Sequence, residues 1–265
     1  MCRSLQASSS CGWAMARKRG LRDGARSQRA RPKRDAHMTA LSADVELACH
    51  VLAREGQGDS VWGHVSARDP EGRGFWMKPA GIGLEEARAA DLLLVSLDGE
   101  VLAGRLPRHS EYPIHAEVYR RRPDVGAVVH THPPHCNAFS ALRVPLRPLS
   151  HEGSWFVPPD VPRFTETSDL IITAELGRRV AETMGAAGVL FLESHGIVTA
   201  GADVAAATVR ALLLDKAASI QLLAAGREQV WTSDDEALRK RARIYQAGAI
   251  ASVWAYLRRR LAKTR

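Results

Sequence analysis

The stretch Val128-Val129-His130-Thr131-His132 ends an apolar run with two histidines that a single residue separates. Residues i and i+2 of a β-strand point to the same face, so the sequence predicts that His130 and His132 lie side by side. Two neighbouring imidazoles supply half of the ligands that zinc takes in a four-coordinate protein site. An isolated His-x-His pair also occurs as a hydrogen-bonded polar element of a core, so this stretch alone leaves both interpretations open.

A third histidine lies in Glu193-Ser194-His195-Gly196, directly after the apolar segment 188–192. Gly196 permits a tight turn, which would return the His195 imidazole to the same ion. Three nitrogen ligands with one open position are typical of a catalytic metal site rather than of a sealed structural one.

A carboxylate belongs to the same predicted group. Ser110-Glu111 precedes a predicted helix to Arg122, and the strand that carries His130 follows that helix. A turn, a helix and a return strand would bring Glu111 near the metal, where a carboxylate either ligates the ion or moves a proton.

Five motifs occur together in the order and spacing of one known family. They are Gly63-His64-Val65-Ser66-Ala67-Arg68, Lys78-Pro79-Ala80-Gly81, Ser110-Glu111, His130-Thr131-His132 and Ser194-His195-Gly196. Over about residues 42 to 245 the chain therefore resembles the class II aldolase/adducin family, which includes sugar-phosphate aldolases, an epimerase and decarboxylases of hydroxylated aromatic acids.

The resemblance implies a fold, a cofactor and roles for the motif residues. The implied metal ligands are His130, His132 and His195, and the implied catalytic acid/base is Glu111. The fold would be α/β with three layers, in which helices flank a central mixed, mainly antiparallel sheet. Each subunit would hold one divalent ion, either zinc, manganese, iron or cobalt. Family members are usually homo-oligomers, most often tetramers with the site at a subunit interface.

Departures from the sugar-phosphate pattern indicate the substrate class. Small hydroxyl or amide residues bind phosphate in the aldolases, whereas this chain carries His64, Ala80 and His109 at the matching positions. Imidazoles suit a flat carboxylate as well as a phosphate. We therefore expect a lyase of aromatic compound catabolism that decarboxylates a hydroxylated, dihydroxyphthalate-like acid. The expected substrate-binding residues are His64, Lys78, Ala80, Gly81, His109, Ser110, His135 and His151.

Other functions of the same fold stay open at this point. The chain would be an aldolase acting on a hydroxy-keto or sugar-phosphate substrate, a non-haem iron oxygenase, or a non-catalytic adducin-like module. Dioxygen consumption with bound iron would identify the oxygenase. The intact set of Glu111, His130, His132 and His195 argues against the non-catalytic module.

The charge distribution argues against a nucleic-acid partner. The formal net charge is +8, and residues 1–37 account for all of it with ten basic and two acidic residues. No stretch approaches eighteen uninterrupted apolar residues, so we expect no membrane span. The four cysteines, Cys2, Cys11, Cys49 and Cys136, have no paired metal spacing, which favours a reducing cytoplasmic location.

The basic N-terminal segment differs in composition from the rest. Residues 1–37 are rich in Ser, Arg and Ala and are predicted to be a disordered leader. Met38 would be a natural start, with Ser42 as the N-cap of a helix through Leu52, and the leader would then be an over-extended start. Arg-rich, acid-poor leaders also occur as organelle transit peptides. Residues 38–265 are expected to form the catalytic domain.

Turn and cap signals predict several other elements. The predicted strands form two hairpins, 60–68 with 74–78 and 92–97 with 100–103, the second around Asp98-Gly99. A helix is expected over 202–225, and a capping box at Ser233 opens the last long helix. That helix carries Tyr245 and Tyr256, which in this family can reach a neighbouring subunit's site.

Overall fold

One mixed sheet forms the centre of the molecule. The computed structural model describes residues 31–263, with side chains from residue 40 onward. Its strands are β1 (His64–Arg68), β2 (Phe75–Met77), β3 (Leu93–Val95), β4 (Val101–Ala103), β5 (Ala127–Thr131), β6 (Arg163–Phe164), β7 (Val189–Leu192) and β8 (Gly196–Gly201). They pair in the order β4-β3-β2-β1-β5-β8-β7-β6. Neighbouring strands are antiparallel except β6 and β7, which are parallel.

Helices cover both faces of this sheet. They are α1 (Arg31–Leu52), α2 (Tyr112–Arg121), α3 (Pro134–Ala141), α4 (His151–Phe156), α5 (Ala174–Met184), α6 (Val204–Ala224), α7 (Asp234–Ile244) and α8 (Ala247–Ala262). A π-helical turn, Ala53–Gln57, follows α1, and short 3₁₀ turns occupy Leu84–Glu86 and Ala89–Asp91. No helix within residues 31–263 combines the length and the apolar character needed to span a membrane.

Alternation along β5 shows how the layers are built. Val129 packs with Phe139 of α3 and Leu214 of α6 on one face of the sheet. Val128, its neighbour in the chain, packs with Ile114 of α2 on the other face. Successive residues of a strand point to opposite faces, so an apolar strand with helices on both sides has both of its faces buried. The predicted three-layer α/β fold with a mainly antiparallel sheet is confirmed.

Several predicted elements have different bounds in the structure. The helix that contains Ser42 begins at Arg31, so the prediction of Ser42 as an N-cap is wrong. This helix includes residues 31–37, where the sequence predicts the end of a disordered leader; residues 1–30 lie outside the described residues. Good helix formers such as Arg and Ala extend the helix before the apolar periodicity begins. The domain boundary at residue 38 stays a prediction.

The C-terminal region also differs from the prediction. The expected last long helix is two helices, because the chain leaves helical geometry at Tyr245 and Gln246. Ser233 occupies the N-cap position of α7 as predicted, but its side chain makes no capping hydrogen bond. Both predicted hairpins form with shorter strands, and Gly99 has the positive φ of 89° that its turn requires.

The sheet order brings the candidate site residues together. His64 of β1 lies opposite His130 of β5, and Thr131 of β5 lies opposite Ile197 of β8. The loop that joins β7 to β8 carries His195. Three neighbouring strands therefore end, or begin, at the same place.

The turn between β1 and β2 depends on one buried carboxylate. Asp69 accepts hydrogen bonds from the Trp76 indole at 2.9 Å and from the Arg73 guanidinium at 2.8 and 2.9 Å. It also accepts the backbone N–H groups of Glu71 and Arg73, both at 3.2 Å. Burial raises the pKa of the Asp69 carboxyl, but these donors outweigh burial and lower the pKa below its ordinary value.

Asp69→Ala should lower the free energy of unfolding by about 3 kcal/mol, because buried donors lose their acceptor. A pKa that is lower in the folded state stabilises the fold above the unfolded pKa, and this contribution is lost as pH falls through the folded pKa. In urea unfolding, the difference between variant and wild type should therefore shrink below about pH 4. Asp124→Ala removes an exposed partner of Arg122 and is the control, with stability nearly unchanged. Equal stabilities of the two variants would contradict this account.

Candidate metal centre

Four side chains converge where these strands meet. One ligand atom from each of Glu111, His130, His132 and His195 lies within 4.8 Å of the other three. His130 is on β5, His132 is the first residue after β5, and His195 is in the loop between β7 and β8. Glu111 directly precedes α2. The residues that the motifs predicted as metal ligands and acid/base thus form one cluster.

Two hydrogen bonds orient the paired imidazoles. His130 Nδ1 lies 2.9 Å from the Ile197 carbonyl oxygen, and His132 Nδ1 lies 2.9 Å from an Asp59 carboxylate oxygen. Both partners are acceptors, so each Nδ1 carries the proton and each Nε2 carries a lone pair. The two Nε2 atoms face each other at 3.0 Å.

These facing lone pairs fit a bound cation. Two neutral nitrogen acceptors at 3.0 Å repel each other unless a positive charge lies between them. Nitrogen ligands of one tetrahedral zinc ion lie about 3.3 Å apart, which is close to the observed spacing. Burial lowers the pKa of His130 far below its ordinary value and also lowers that of His132, so both imidazoles are in the neutral form that binds metal.

Glu111 completes the cluster as an ionised carboxylate. Glu111 Oε2 lies 3.7 Å from His130 Nε2, and Glu111 Oε1 lies 3.6 Å from His195 Nε2. These distances are too long for hydrogen bonds but suit two ligands of one shared ion. The Ile171 backbone N–H donates to Glu111 at 2.8 Å. Burial raises the pKa of Glu111, but the neighbouring His195 and His130 and this backbone donor outweigh it, so the pKa falls to about 2.

The loop around His195 is unusually tight. Ser194 has a positive φ of 55°, which is rare for a residue other than glycine and is found where the surrounding structure enforces it. A Cβ at Gly196 would lie 2.6 Å from the Thr131 carbonyl oxygen and 2.7 Å from His132 Cδ2. The predicted turn is present, but Gly196 serves the close approach of β5 and Ser194 takes the left-handed conformation. Among the described residues, His195 Nδ1 is buried without a hydrogen-bond partner.

A second group of imidazoles adjoins the cluster. The His64 ring centroid lies 5.0 Å from that of His130 and 4.4 Å from that of His109. Burial lowers the pKa of His64 far below its ordinary value and lowers that of His109 to about 4. Both rings are therefore neutral near neutral pH, and the one N–H of His109 is on Nε2, which donates to the Pro79 carbonyl oxygen at 3.0 Å.

Lys78 is buried beside these rings. Its Nζ donates to the carbonyl oxygens of Val61 at 3.1 Å and Pro79 at 3.2 Å, and lies 3.4 Å from His109 Nε2. Burial lowers the pKa of Lys78 to about 8. The side chain is completely buried.

The other predicted substrate residues lie in different surroundings. Ala80 donates its N–H to the Pro107 carbonyl, Gly81 follows it with a positive φ of 80°, and Ser110 is exposed beside Glu111. No contact in the described structure joins His135 or His151 to the cluster. His135 is exposed on α3, and His151 is exposed at the start of α4.

The contacts of His135 and the two tyrosines were not foreseen. His135 Nδ1 pairs with Asp215 of α6 at 3.0 Å. Tyr245 stacks on Trp155 with ring centroids 4.6 Å apart, and Tyr256 is half exposed. The predicted binding roles of these residues stay predictions.

Sequence reasoning missed the groups that orient the ligands. Asp59 lies 73 positions before His132, and the Ile197 carbonyl belongs to a different strand from His130. An acidic residue in a short loop before a predicted strand was the only available signal for Asp59. His115, on α2, is completely buried.

Comparison with known proteins identifies the family. The sequence model described as "Class II Aldolase and Adducin N-terminal domain" matches residues 43–222, and the chain belongs to this family. The chain is 33% identical over 204 residues to 3,4-dihydroxyphthalate decarboxylase of Arthrobacter keyseri. The alignment covers 69% of this chain and 78% of that protein. The expected family resemblance is confirmed.

Two further proteins are informative. A protein of Streptomyces roseochromogenus subsp. oscitans named "4-hydroxy-3-prenylphenylpyruvate oxygenase/4-hydroxy-3-prenylbenzoate synthase" is 34% identical over 192 residues, 71% of this chain and 69% of that protein. The solved L-fuculose 1-phosphate aldolase of Glaciozyma antarctica PI12 superposes with a TM-score of 0.77 at 24% identity, over 87% of this chain and 93% of that chain. The structural match shows the shared fold.

Asp59→Asn should weaken zinc binding about 10-fold to 100-fold while the protein stays folded, because the amide no longer polarises His132. Competition with a chromophoric chelator measures the dissociation constant. Asp215→Asn is the matched control, since it changes the carboxylate beside His135, a histidine without contact to the cluster, and should leave zinc affinity unchanged. Equal affinity in Asp59→Asn and wild type would remove Asp59 from this role.

Proposed function

We propose that this protein is a metal-dependent lyase that decarboxylates a hydroxylated aromatic carboxylic acid of the dihydroxyphthalate type. The observation that carries the proposal is the convergence of Glu111, His130, His132 and His195 on one point. One divalent ion per subunit, either zinc, manganese, iron or cobalt, would be held by the three imidazoles. A bound ion of this kind supplies Lewis-acid stabilisation of negative charge that develops on an oxygen next to the breaking bond.

Glu111 is the proposed acid/base. Its lowered pKa keeps the carboxylate ionised, so Glu111 is unprotonated at the start of the reaction. In the proposed reaction it takes the proton of a ring hydroxyl and delivers it to the ring carbon that bears the carboxylate, which converts the phenolate to a ketone. Carbon dioxide then leaves, the electrons of the broken bond restore the aromatic ring and return to the oxygen as a phenolate, and solvent restores the hydroxyl proton, so the reaction is balanced.

The neighbouring polar side chains fit a carboxylate better than a phosphate. His64 and His109 are neutral, so the ammonium group of Lys78 is the one positive charge that this group offers. A phosphate monoester carries nearly two negative charges near neutral pH, whereas a carboxylate carries one. A single buried cation beside neutral imidazoles therefore matches one carboxylate and the oxygens beside it. Ala80, Gly81 and Ser110 are included in the proposed binding loops.

The similarity to an aromatic-acid decarboxylase supports this assignment. The oxygenase name of another relative gives a second candidate, a non-haem iron oxygenase with the same three imidazoles. An aldolase is a third candidate because the fold is shared with a fuculose phosphate aldolase. Assays for carbon dioxide, dioxygen and aldehyde products separate the three. Under the adducin-like, non-catalytic alternative, none of the three assays would give a signal.

The proposed enzyme is a cytoplasmic homo-oligomer, a tetramer in the simplest form, that acts without nucleic acid or membrane. Exposed apolar side chains at Leu223, Val230 and Trp231 support self-association. The free, buried thiols of Cys49 and Cys136 support a reducing compartment. Light scattering coupled to size-exclusion chromatography measures the number of subunits.

Changes at His132 and Glu111 should have different effects. His132→Ala should lose most of the bound metal and with it the activity. Glu111→Gln should keep much of the metal and lose turnover about 100-fold to 10,000-fold, because an amide keeps the shape but cannot carry the proton. Metal per subunit by mass spectrometry and carbon dioxide release are the measurements. A His132→Ala variant that is active and fully loaded with metal would contradict the proposed centre. Unchanged turnover in the Glu111→Gln variant would exclude Glu111 as the acid/base.

Substrate preference tests the proposed anion site. An aromatic diacid with a hydroxyl next to the carboxylate should release carbon dioxide, and sugar phosphates should be poor substrates. His64→Asn and His109→Ser restore aldolase-like residues and should each lower kcat/KM for the aromatic acid about 10-fold or more, with metal content unchanged. Efficient cleavage of a sugar phosphate by the wild type, without carbon dioxide from any aromatic acid, would favour the aldolase instead.

A further inference from the structure

A buried chain of hydrogen bonds lies behind the metal centre. His64 Nδ1 lies 2.6 Å from His115 Nε2. His115 Nδ1 lies 2.6 Å from Ser66 Oγ, which lies 2.8 Å from the Tyr119 hydroxyl. All four side chains are buried. Apart from His64, none of these residues takes part in the proposed reaction.

The directions of these hydrogen bonds are coupled to each other. A hydroxyl donates one proton, and a neutral imidazole has one donor nitrogen and one acceptor nitrogen. In the described structure, Ser66 is the side chain that can accept the proton of the Tyr119 hydroxyl. The opposite direction would leave a buried O–H without an acceptor, which is costly. Tyr119 therefore donates to Ser66.

The direction of the Tyr119 hydrogen bond fixes the direction of each following hydrogen bond as far as His64. Ser66 accepts from Tyr119, so its own proton goes to His115 Nδ1. Burial lowers the pKa of His115 to about 3, so the ring is neutral and carries its one proton on Nε2. His115 Nε2 then donates to His64 Nδ1, and His64 carries its proton on Nε2.

The protonated nitrogen of His64 is available to a ligand. Among the described residues no group hydrogen-bonds to His64 Nε2. This atom is not fully buried, so it reaches solvent. The His64 ring lies between His109 and His130, at centroid distances of 4.4 and 5.0 Å. The free N–H is therefore beside the metal centre.

We infer that Tyr119, Ser66 and His115 hold His64 in its Nε2–H tautomer, so that His64 presents a neutral hydrogen-bond donor to an anionic oxygen of the substrate. His115, Ser66 and Tyr119 are positioning residues. The other tautomer would turn a lone pair toward the same oxygen and repel it. The identity of that oxygen rests on the proposed function, whereas the tautomer does not.

The tautomer is measured directly by two-bond ¹H–¹⁵N correlation spectra of the zinc-loaded, full-length protein with ¹⁵N-labelled histidine. His64→Gln identifies the His64 signals by their loss. We expect an unprotonated Nδ1 and a protonated Nε2 in the wild type. A protonated Nδ1 would overturn the inference, and this result requires no variant of the chain to fold other than the one used for assignment.

Ser66→Ala tests whether the buried hydrogen bonds control the tautomer of His64. It removes the donor to His115, so His64 should populate both tautomers, and KM for the aromatic acid should rise about threefold to tenfold with kcat and bound zinc nearly unchanged. Tyr119→Phe removes the donor that sets the direction of the Ser66 hydroxyl, so it should also let His64 populate both tautomers. Thr208→Val, which removes a buried hydroxyl that bonds within α6, is the control and should change neither spectrum nor KM.

The outcomes separate this inference from the proposed function. His64 signals that are identical in Ser66→Ala and wild type would overturn the inference even if the aromatic acid is decarboxylated. Absence of turnover with every aromatic acid would overturn the proposed function, while the spectra would still decide the tautomer.

Discussion

Two neutral imidazole nitrogens held 3.0 Å apart, with their lone pairs facing, are the constraint on which the rest of the structure depends. Such a pair is unfavourable without a cation, and it persists because the opposite edge of each ring is anchored. A strand carbonyl anchors His130, and the Asp59 carboxylate anchors His132. The antiparallel pairing of β5 with β8 is thus a requirement of the proposed metal centre as well as of the core, since it places the Ile197 carbonyl against the His130 ring.

Close packing of strand ends extends this constraint to the third histidine. The loop between β7 and β8 approaches β5 so closely that Gly196 leaves no space for a side chain, and Ser194 adopts a left-handed conformation. A backbone so restricted holds His195 in one position relative to Glu111. In the proposed centre, such rigid placement would let a bound ion keep an open position for substrate.

Burial gives the surrounding side chains their chemical character. It keeps His64, His109 and His115 neutral, so these rings act through hydrogen bonds whose directions are fixed by their partners. Lys78 then supplies a single positive charge in a site of low polarity, where one charge has a large effect. Neutral imidazoles around one cation favour a carboxylate and phenolic oxygens, and in our proposal the buried hydroxyl of Ser66 acts on the substrate through two imidazoles.

The sequence by itself determined the features that neighbours in the chain control. The alternation in 128–132 put two imidazoles on one face, the Asp98-Gly99 pair set a hairpin, and spaced motifs identified the family and the three-layer fold. Only the tertiary structure decided that Lys78 is buried, that Asp59 orients His132 and that His135 bonds to Asp215 instead of joining the cluster. Periodicity and turn preference act over a few residues. Burial and hydrogen-bond partners come from segments that are tens of residues apart and meet only when the sheet assembles.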